Sequence, residues 1–448
     1  MSLPNNSPGH NPTSSQDETP KLKICIVGAG VSGLYTAMIL EFLDIPGLEY
    51  EILESSNRVG GRIYTHHFTE EKHQYYDVGA MRYPRIPMTR SYHDGIDGAA
   101  NTPEYFNDIV HISNVNRPDT NKVSSANGGP VPERNVLKGA VEIMEDVYGP
   151  FKKALDENFK EGWKKLMTED AFSAREVLRR SSKHGDNDTI QWLDTVMCAS
   201  NTLDQGFTDN LMDNYISSVP TTILNGDRWV CIEGGSEVII KAMQVQLSIT
   251  PQLQKRVTAI SIDRSADSNL GMLVQVAGEV STRRYSTVFN TTTLACAQRI
   301  DLSGAGLSFA QKEAIRAFKY DTSCKIAMRF KTNWWKKAGI VGGEAVTDLP
   351  IRLCVYPPYN IHDDADKPAV LLCSYTWSQD AQRIGSLIGS DGKGKSDELL
   401  ELCMKNLALL HSNVISEREI REQLMDYHAY DWGADPNMSG GVAMFAPG

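Results

Sequence analysis

The sequence predicts an α/β fold made of more than one packed unit, and three observations predict it. The chain has 448 residues, beyond the length at which a single hydrophobic core stops growing. Its first apolar run, Ile24-Cys25-Ile26-Val27, ends in glycines and is followed by a helix pattern and a second strand pattern, the order of a βαβ unit. Further on, a long helical stretch precedes separate β-rich runs, so helices and strands are grouped differently in different parts of the chain.

Composition narrows the class. With 41% hydrophobic and 23% charged residues the chain is of the globular type, and no apolar run reaches the length needed to cross a bilayer. A formal charge of −11 repels phosphate backbones, which excludes nucleic acid as a partner class. The eight cysteines (Cys25, Cys198, Cys231, Cys296, Cys324, Cys354, Cys373, Cys403) show no CxxC spacing and read as free thiols of a reducing compartment. Residues 1–20 carry neither a basic nor an apolar signal region, so an intracellular, cytoplasmic protein with a disordered leader is expected.

The elements follow in order. After the first strand, Ser32 to Phe42 places Leu34, Ala37, Met38 and Phe42 on one helical face, and Pro46-Gly47 ends it. Tyr50 to Glu54 is the second strand. From Asn135 to about Ile216 the pattern is helical, with Ala140, Ile143, Met144 and Val147 and then Phe151, Leu155 and Phe159 at helical spacing. Strands are expected at 272–276, 287–289, 349–356 and 369–375, where β-branched and aromatic residues recur. Ser396 to His411 reads as an amphipathic helix capped by Ser396.

The chemistry begins at Gly28-Ala29-Gly30-Val31-Ser32-Gly33, a GxGxxG between a strand and a helix. Gly28 permits the tight turn, Gly30 lets the backbone approach a pyrophosphate, and Gly33 lets helix and strand pack closely at a positive helix end. Glu54 ends the next strand about 20 residues later, where an acid accepts from the adenosine ribose hydroxyl. Dinucleotide binding follows. His66 and His67 point to opposite sides of a strand, and no second group of ligands accompanies them, so a metal site is not expected.

Six residues beyond Glu54 comes Gly60-Gly61-Arg62, and Arg58-Val59-Gly60-Gly61-Arg62 resembles the R-x-G-G-R signature of the flavin amine oxidase superfamily. Asp77-Val78-Gly79-Ala80-Met81-Arg82-Tyr83-Pro84 resembles the G-x-M-R segment of L-amino-acid oxidases of the fungal and bacterial kind, where the arginine binds the substrate carboxylate. The chemistry suits that role, because a planar guanidinium grips a carboxylate bidentately; a structural ion pair is the other reading of Arg82. Ile232 to Glu237 resembles the family's Gly-Gly turn, and Arg256-Val257 the strand whose valine main chain touches adenine.

Ser323 to Phe330 alternates, with Lys325 opposite Cys324, Ile326, Met328 and Phe330. Its lysine is either solvated or, as the resemblance implies together with Trp334-Trp335, the residue that holds a water against flavin N5. Thr347-Asp348-Leu349-Pro350 resembles a segment leading to a carboxylate-binding tyrosine, matched by Tyr356, which otherwise is a strand tyrosine bonded elsewhere. Trp432 is either an aromatic wall of the flavin or a core tryptophan.

The resemblance implies an FAD-binding Rossmann-like domain of the glutathione-reductase type, a mixed-sheet α+β substrate domain and a helical insertion. Their expected boundaries are 21–72, 229–319 and 437–448 for FAD, 73–129 and 320–436 for substrate, and 130–228 for the helices. FAD would be held by Gly28, Gly30, Ser32, Gly33, Glu54, Ser55, Gly61, Arg62, Gly79, Ala80, Met81, Arg82 and Val257, with Lys325 catalytic and Arg82, Tyr356 and Trp432 on the substrate. The implied reaction is oxidative deamination of an L-amino acid by oxygen, giving a 2-oxo acid, ammonia and hydrogen peroxide, in a homo-oligomer, a dimer. Oxidation of an amine or polyamine, or a non-catalytic binding role on the same fold, are the alternatives. In the family a later G-E segment contacts the flavin ribityl and diphosphate groups, and Ala443 to Gly448 stands where it should begin. A truncated or processed chain is therefore expected, with weak FAD retention if these residues are the whole.

Overall fold

The computed structural model describes residues 22–84, 92–93, 101–112, 119–197, 200–217, 229–265 and 271–448. The expected leader, Lys21 and Cys198 lie outside the described residues. Strand β1 (Leu22–Val27) sits between β2 (Leu48–Leu53) and the strand Thr287–Asn290, parallel to both, with Val27 level with Leu53 and Asn290. All three carboxyl ends therefore reach one edge, where ligands of open parallel sheets bind.

Both faces of β1 are buried, which is why it reads as a continuous apolar run. Ile24 and Ile26 pack under helix α1 (Val31–Leu43) against Leu34, Ala37 and Leu40. Cys25 and Val27 face the other way, onto Val257, Ile260, Val274 and Tyr285 of an antiparallel sheet built from Val257–Ile262, Met272–Val276 and Arg283–Tyr285.

The close approach of α1 to β1 depends on one residue. A Cβ on Gly33 would lie 2.0 Å from the Gly28 carbonyl oxygen, and Gly28 itself holds φ +104°. Neither position tolerates a side chain without backbone movement. Gly33→Ala is expected to lose about 1–3 kcal/mol of stability through this overlap, read as a lowered Tm in thermal unfolding.

A seven-stranded sheet forms the second layer, in the order Leu424–Asp431, Ser323–Phe330, Ala369–Trp377, Leu353–Val355, Glu344–Thr347, Pro103–Phe106, Ile109–Ile112. One face packs on the helices Ser378–Gly385 and Glu398–Leu410 through Ile326, Met328, Leu371, Cys373 and Leu407. The other carries Ala327, Leu353, Val355, Val370 and Leu372 towards Val78 and Trp432. Helices Glu133–Lys138, Ala140–Glu157, Phe159–Met167, Ala174–Arg179, Asn187–Val196 and Phe207–Ser217 enclose a separate core around Ile143, Tyr148, Leu193 and Phe207.

Two local expectations are corrected. The strand expected over 349–356 is only Leu353–Val355, because Arg352 takes φ +54° and its N–H closes a turn on the Leu349 carbonyl at 2.9 Å. The helix expected from Ser396 begins at Glu398, and Asp397 rather than Ser396 occupies its N-cap. Among the described cysteines, Cys296 is half-buried and the other six are buried; all are free thiols. No helix among the described residues is long and apolar enough to cross a membrane.

Candidate active site

The carboxyl ends of the parallel strands open into a cavity of about 520 Å³, continuous in its lining with a smaller one of about 140 Å³ through Gly28, Thr292 and Asn437. Gly28, Gly30, Ser32, Gly61, Arg62, Gly79 and Ala80 line the larger cavity, and Ser55 and Val257 the smaller. Gly33 acts from behind, as the packing glycine.

Three backbone segments meet here only because glycine occupies the crossing points. Gly61 has φ +58°, and a Cβ on it would lie 3.3 Å from the Gly30 Cα; a Cβ on Gly79 would lie 1.7 Å from the Arg62 carbonyl oxygen. The Arg62 guanidinium donates to the Gly441 carbonyl at 2.9 Å, tying the turn to the segment that completes the cavity wall.

Glu54 is buried and accepts from the Ala29 N–H at 2.7 Å and the Ser56 N–H at 2.8 Å, one on each oxygen. It holds the glycine turn in place; Oε1 also accepts from the Ser55 hydroxyl at 3.4 Å, which leaves Oε2 with a second lone pair compatible with a ribose hydroxyl. Thr291, Thr292 and Thr293 also line the cleft, with the Thr291 hydroxyl donating to the Val27 carbonyl at 2.9 Å. No sequence motif singles them out. Their signal was a run of three hydroxyls directly after the strand 287–290, at the end where ligands bind.

At the far end of the cavity stands Lys325, buried rather than solvated. Its ammonium donates to the main-chain oxygens of Asp77 at 3.0 Å and Gly79 at 2.6 Å, and lies 4.6 Å from the centre of the Tyr375 ring. Burial pulls the Lys325 amine down to about 7; nearby Asp77 opposes that shift and Arg82 adds to it. Asp77 is itself pushed up by burial, while its carboxylate accepts from the Thr65 hydroxyl at 2.6 Å and the Ser236 N–H at 2.8 Å. Ser236 in turn donates to the Ala80 carbonyl at 2.6 Å, so the turn at 232–237 braces the cavity wall.

Trp432 lines the cavity and donates its indole N–H to the Val78 carbonyl at 3.1 Å, so it is both wall and packed side chain. Tyr375, level with Lys325 on the neighbouring strand, is a second aromatic wall that the sequence did not reveal.

Met81 and Arg82 line a narrow apolar cavity of about 50 Å³ together with Tyr76, Cys231, Tyr359 and Leu372. The Arg82 guanidinium pairs with the Glu344 carboxylate.

Tyr356 is a correction. Leu353 and Val355 face the cleft side of the sheet, so by strand alternation Cys354 and Tyr356 face the helices. The Tyr356 hydroxyl donates to His411 Nε2 at 2.5 Å, since His411 Nδ1 is 2.8 Å from the Leu407 carbonyl and carries the proton. It lines none of the three cavities. Tyr356→Phe is expected to leave KM for an amino acid within about twofold while costing about 1–3 kcal/mol by orphaning a buried histidine nitrogen, measured by steady-state kinetics beside thermal unfolding.

His67 pairs with Glu237 at 3.1 Å, and His66 stacks on His428 at 3.7 Å between ring centres. Among the described residues no group of three or more metal-ligating side chains is assembled.

The glycine cradle, the acid at the turn and two linked cavities of unequal size fit FAD. That architecture defines the class, an FAD-dependent oxidoreductase. A family model for flavin containing amine oxidoreductases matches residues 31–448. L-amino-acid oxidase 4 of Hebeloma cylindrosporum is 32% identical over 476 residues, covering 95% of this chain and 74% of that protein. A Dictyostelium discoideum protein assigned as a bifunctional amine oxidase is 34% identical over 477 residues; the match takes in 97% of this chain and only 42% of that longer protein. Of solved structures, a putrescine oxidase (TM-score 0.67, 16% identity, 96% of this chain and 89% of that one) shares the fold. So does the cyclohexylamine oxidase of Brevibacterium oxydans (TM-score 0.66, 15% identity, 96% and 89%). The chain belongs to the flavin-containing amine oxidoreductases.

Proposed function

We propose that this chain, with bound FAD, oxidises L-amino acids to 2-oxo acids with release of ammonia and hydrogen peroxide. The observation that carries the reading is Arg82: a guanidinium on an apolar cavity, within a few residues of the Gly79-Ala80 wall and close enough to Lys325 to act on its charge. Likeness to the Hebeloma protein over most of this chain supports it. We assign 21–72, 229–319 and 437–448 to the FAD-binding part, 73–129 and 320–436 to the substrate part, and 130–228 to the helical part.

FAD supplies the two-electron acceptor that no side chain provides. Arg82 takes the carboxylate through paired N–H donors and so fixes the α-carbon. Met81, Tyr76, Tyr359 and Leu372 offer the side chain an apolar wall, while Tyr375 and Trp432 exclude water from the reacting end. Lys325 holds a proton-bearing amine at that end, poised between charged and neutral near pH 7. The balance is one amino acid, one oxygen and one water to one 2-oxo acid, one ammonia and one hydrogen peroxide. Two electrons and two protons leave the Cα–H and N–H bonds and reduce oxygen; water then adds across the C=N bond and ammonia departs.

A second reading, oxidation of an amine without a carboxylate, draws on the Arg82–Glu344 pair, in which the guanidinium already has an anion. Product analysis separates the two. Equal amounts of 2-oxo acid, ammonia and peroxide from L-leucine or L-phenylalanine are expected, and none from benzylamine or putrescine; turnover of those amines without turnover of any L-amino acid would overturn the proposal.

A further inference from the structure

The seat assigned to the substrate carboxylate is taken within the chain itself. Arg82 Nη1 donates to Glu344 Oε1, and Glu344 opens the strand Glu344–Thr347 level with Val355. Val346 and Val355 share the apolar cluster around Val78 and Trp432, whereas Ala345 packs on the opposite face, so alternation turns Glu344 towards the cleft. A carboxylate on that face needs a cation to offset its desolvation, and Arg82 is the cation it meets.

The pair is not sealed. The Arg82 and Glu344 side chains keep 33% and 26% of their exposure, which leaves the contact open to water and to exchange. While it stands, the guanidinium has one donor occupied and its charge neutralised, so an incoming anion meets less attraction than a bare arginine would offer.

We propose that Glu344 is a specificity-determining residue that competes with the substrate carboxylate for Arg82; this rests on the amino-acid reading of the site. A carboxylate binds when its remaining contacts, such as a side chain against Tyr359 and Leu372, offset the pair it displaces, and Glu344 then turns to water. Small anions that lack such contacts are turned away. Affinity for the carboxylate alone is thereby sacrificed for discrimination.

The test uses the FAD-loaded full chain and benzoate as a carboxylate that is not oxidised, with binding read from the perturbed flavin absorbance. Glu344→Gln and Glu344→Ala, which keep the backbone pairing with Val355, are each expected to tighten benzoate roughly three- to tenfold. An unchanged or weaker affinity in both overturns the proposal and makes Glu344 a support for Arg82 instead. Perturbation by benzoate in none of the proteins overturns it as well. Arg82→Ala separates the two layers: benzoate affinity untouched by that change removes the amino-acid reading of Arg82, whatever the Glu344 variants do.

Discussion

Arg82→Ala raises KM for an L-amino acid by about 30- to 150-fold, corresponding to about 2–3 kcal/mol for truncating one partner of a hydrogen-bonded charge pair. The lower part of the usual range applies because the Arg82 side chain is one-third exposed and water screens what it holds. The change falls mainly on KM, since the guanidinium grips the substrate before and during reaction alike. An amine lacking a carboxylate shifts by less than about threefold. Arg82→Lys recovers the charge without the planar fork and regains only part of the affinity. Steady-state kinetics with L-phenylalanine, alone and with phenethylamine as a competitive inhibitor, provide the comparison; an equal loss of substrate affinity and of inhibitor affinity contradicts a carboxylate role.

Lys325→Met lowers oxygen-dependent turnover by about 10²-fold, the usual effect of removing one preorganised donor aimed at developing charge. It also removes a titration. In the folded protein Lys325 loses its proton near pH 7, so wild-type turnover falls as pH rises through that value and the variant shows no such limb. Stability carries the opposite sign. The folded-state value is depressed from 10.5 to about 7, so between those values the unfolded chain holds more protons than the folded one. Unfolding free energy of the wild type therefore rises with pH across that window. In Lys325→Met that slope flattens. Oxygen uptake and denaturant melts at a series of pH values read both effects on one pair of proteins.

The residues that sequence alone identified are those whose chemistry is local. Gly28, Gly33, Gly61 and Gly79 are each required by a contact or a positive φ at their own position, so the motif and the geometry coincide. Glu54 stands at the end of β2 by spacing alone. Lys325 was legible as a residue but not as a buried one, because alternation along 323–330 gives two faces without saying which is wet.

What depends on pairing between distant strands stayed hidden. Tyr375 reaches the cavity because it is level with Lys325 in a neighbouring strand, beside a register shift between Ile326 and Ala327. Tyr356 was misplaced for a related reason: both faces of its strand are buried, so hydrophobicity does not distinguish the cleft side from the helix side. The carboxylate of Glu344 was invisible as a partner of Arg82, 262 positions away in the chain.

The decisive property is whether this cleft removes electrons from an amino acid. FAD-loaded protein is mixed without oxygen with a panel of L-amino acids, their D-enantiomers and the corresponding decarboxylated amines, and the yellow absorbance is followed. Bleaching is expected with at least one L-amino acid, far slower or none with its enantiomer and its amine, and slower in Arg82→Ala. A flavin that stays yellow with every L-amino acid, or bleaches only with the amines, contradicts the amino-acid reading of the site.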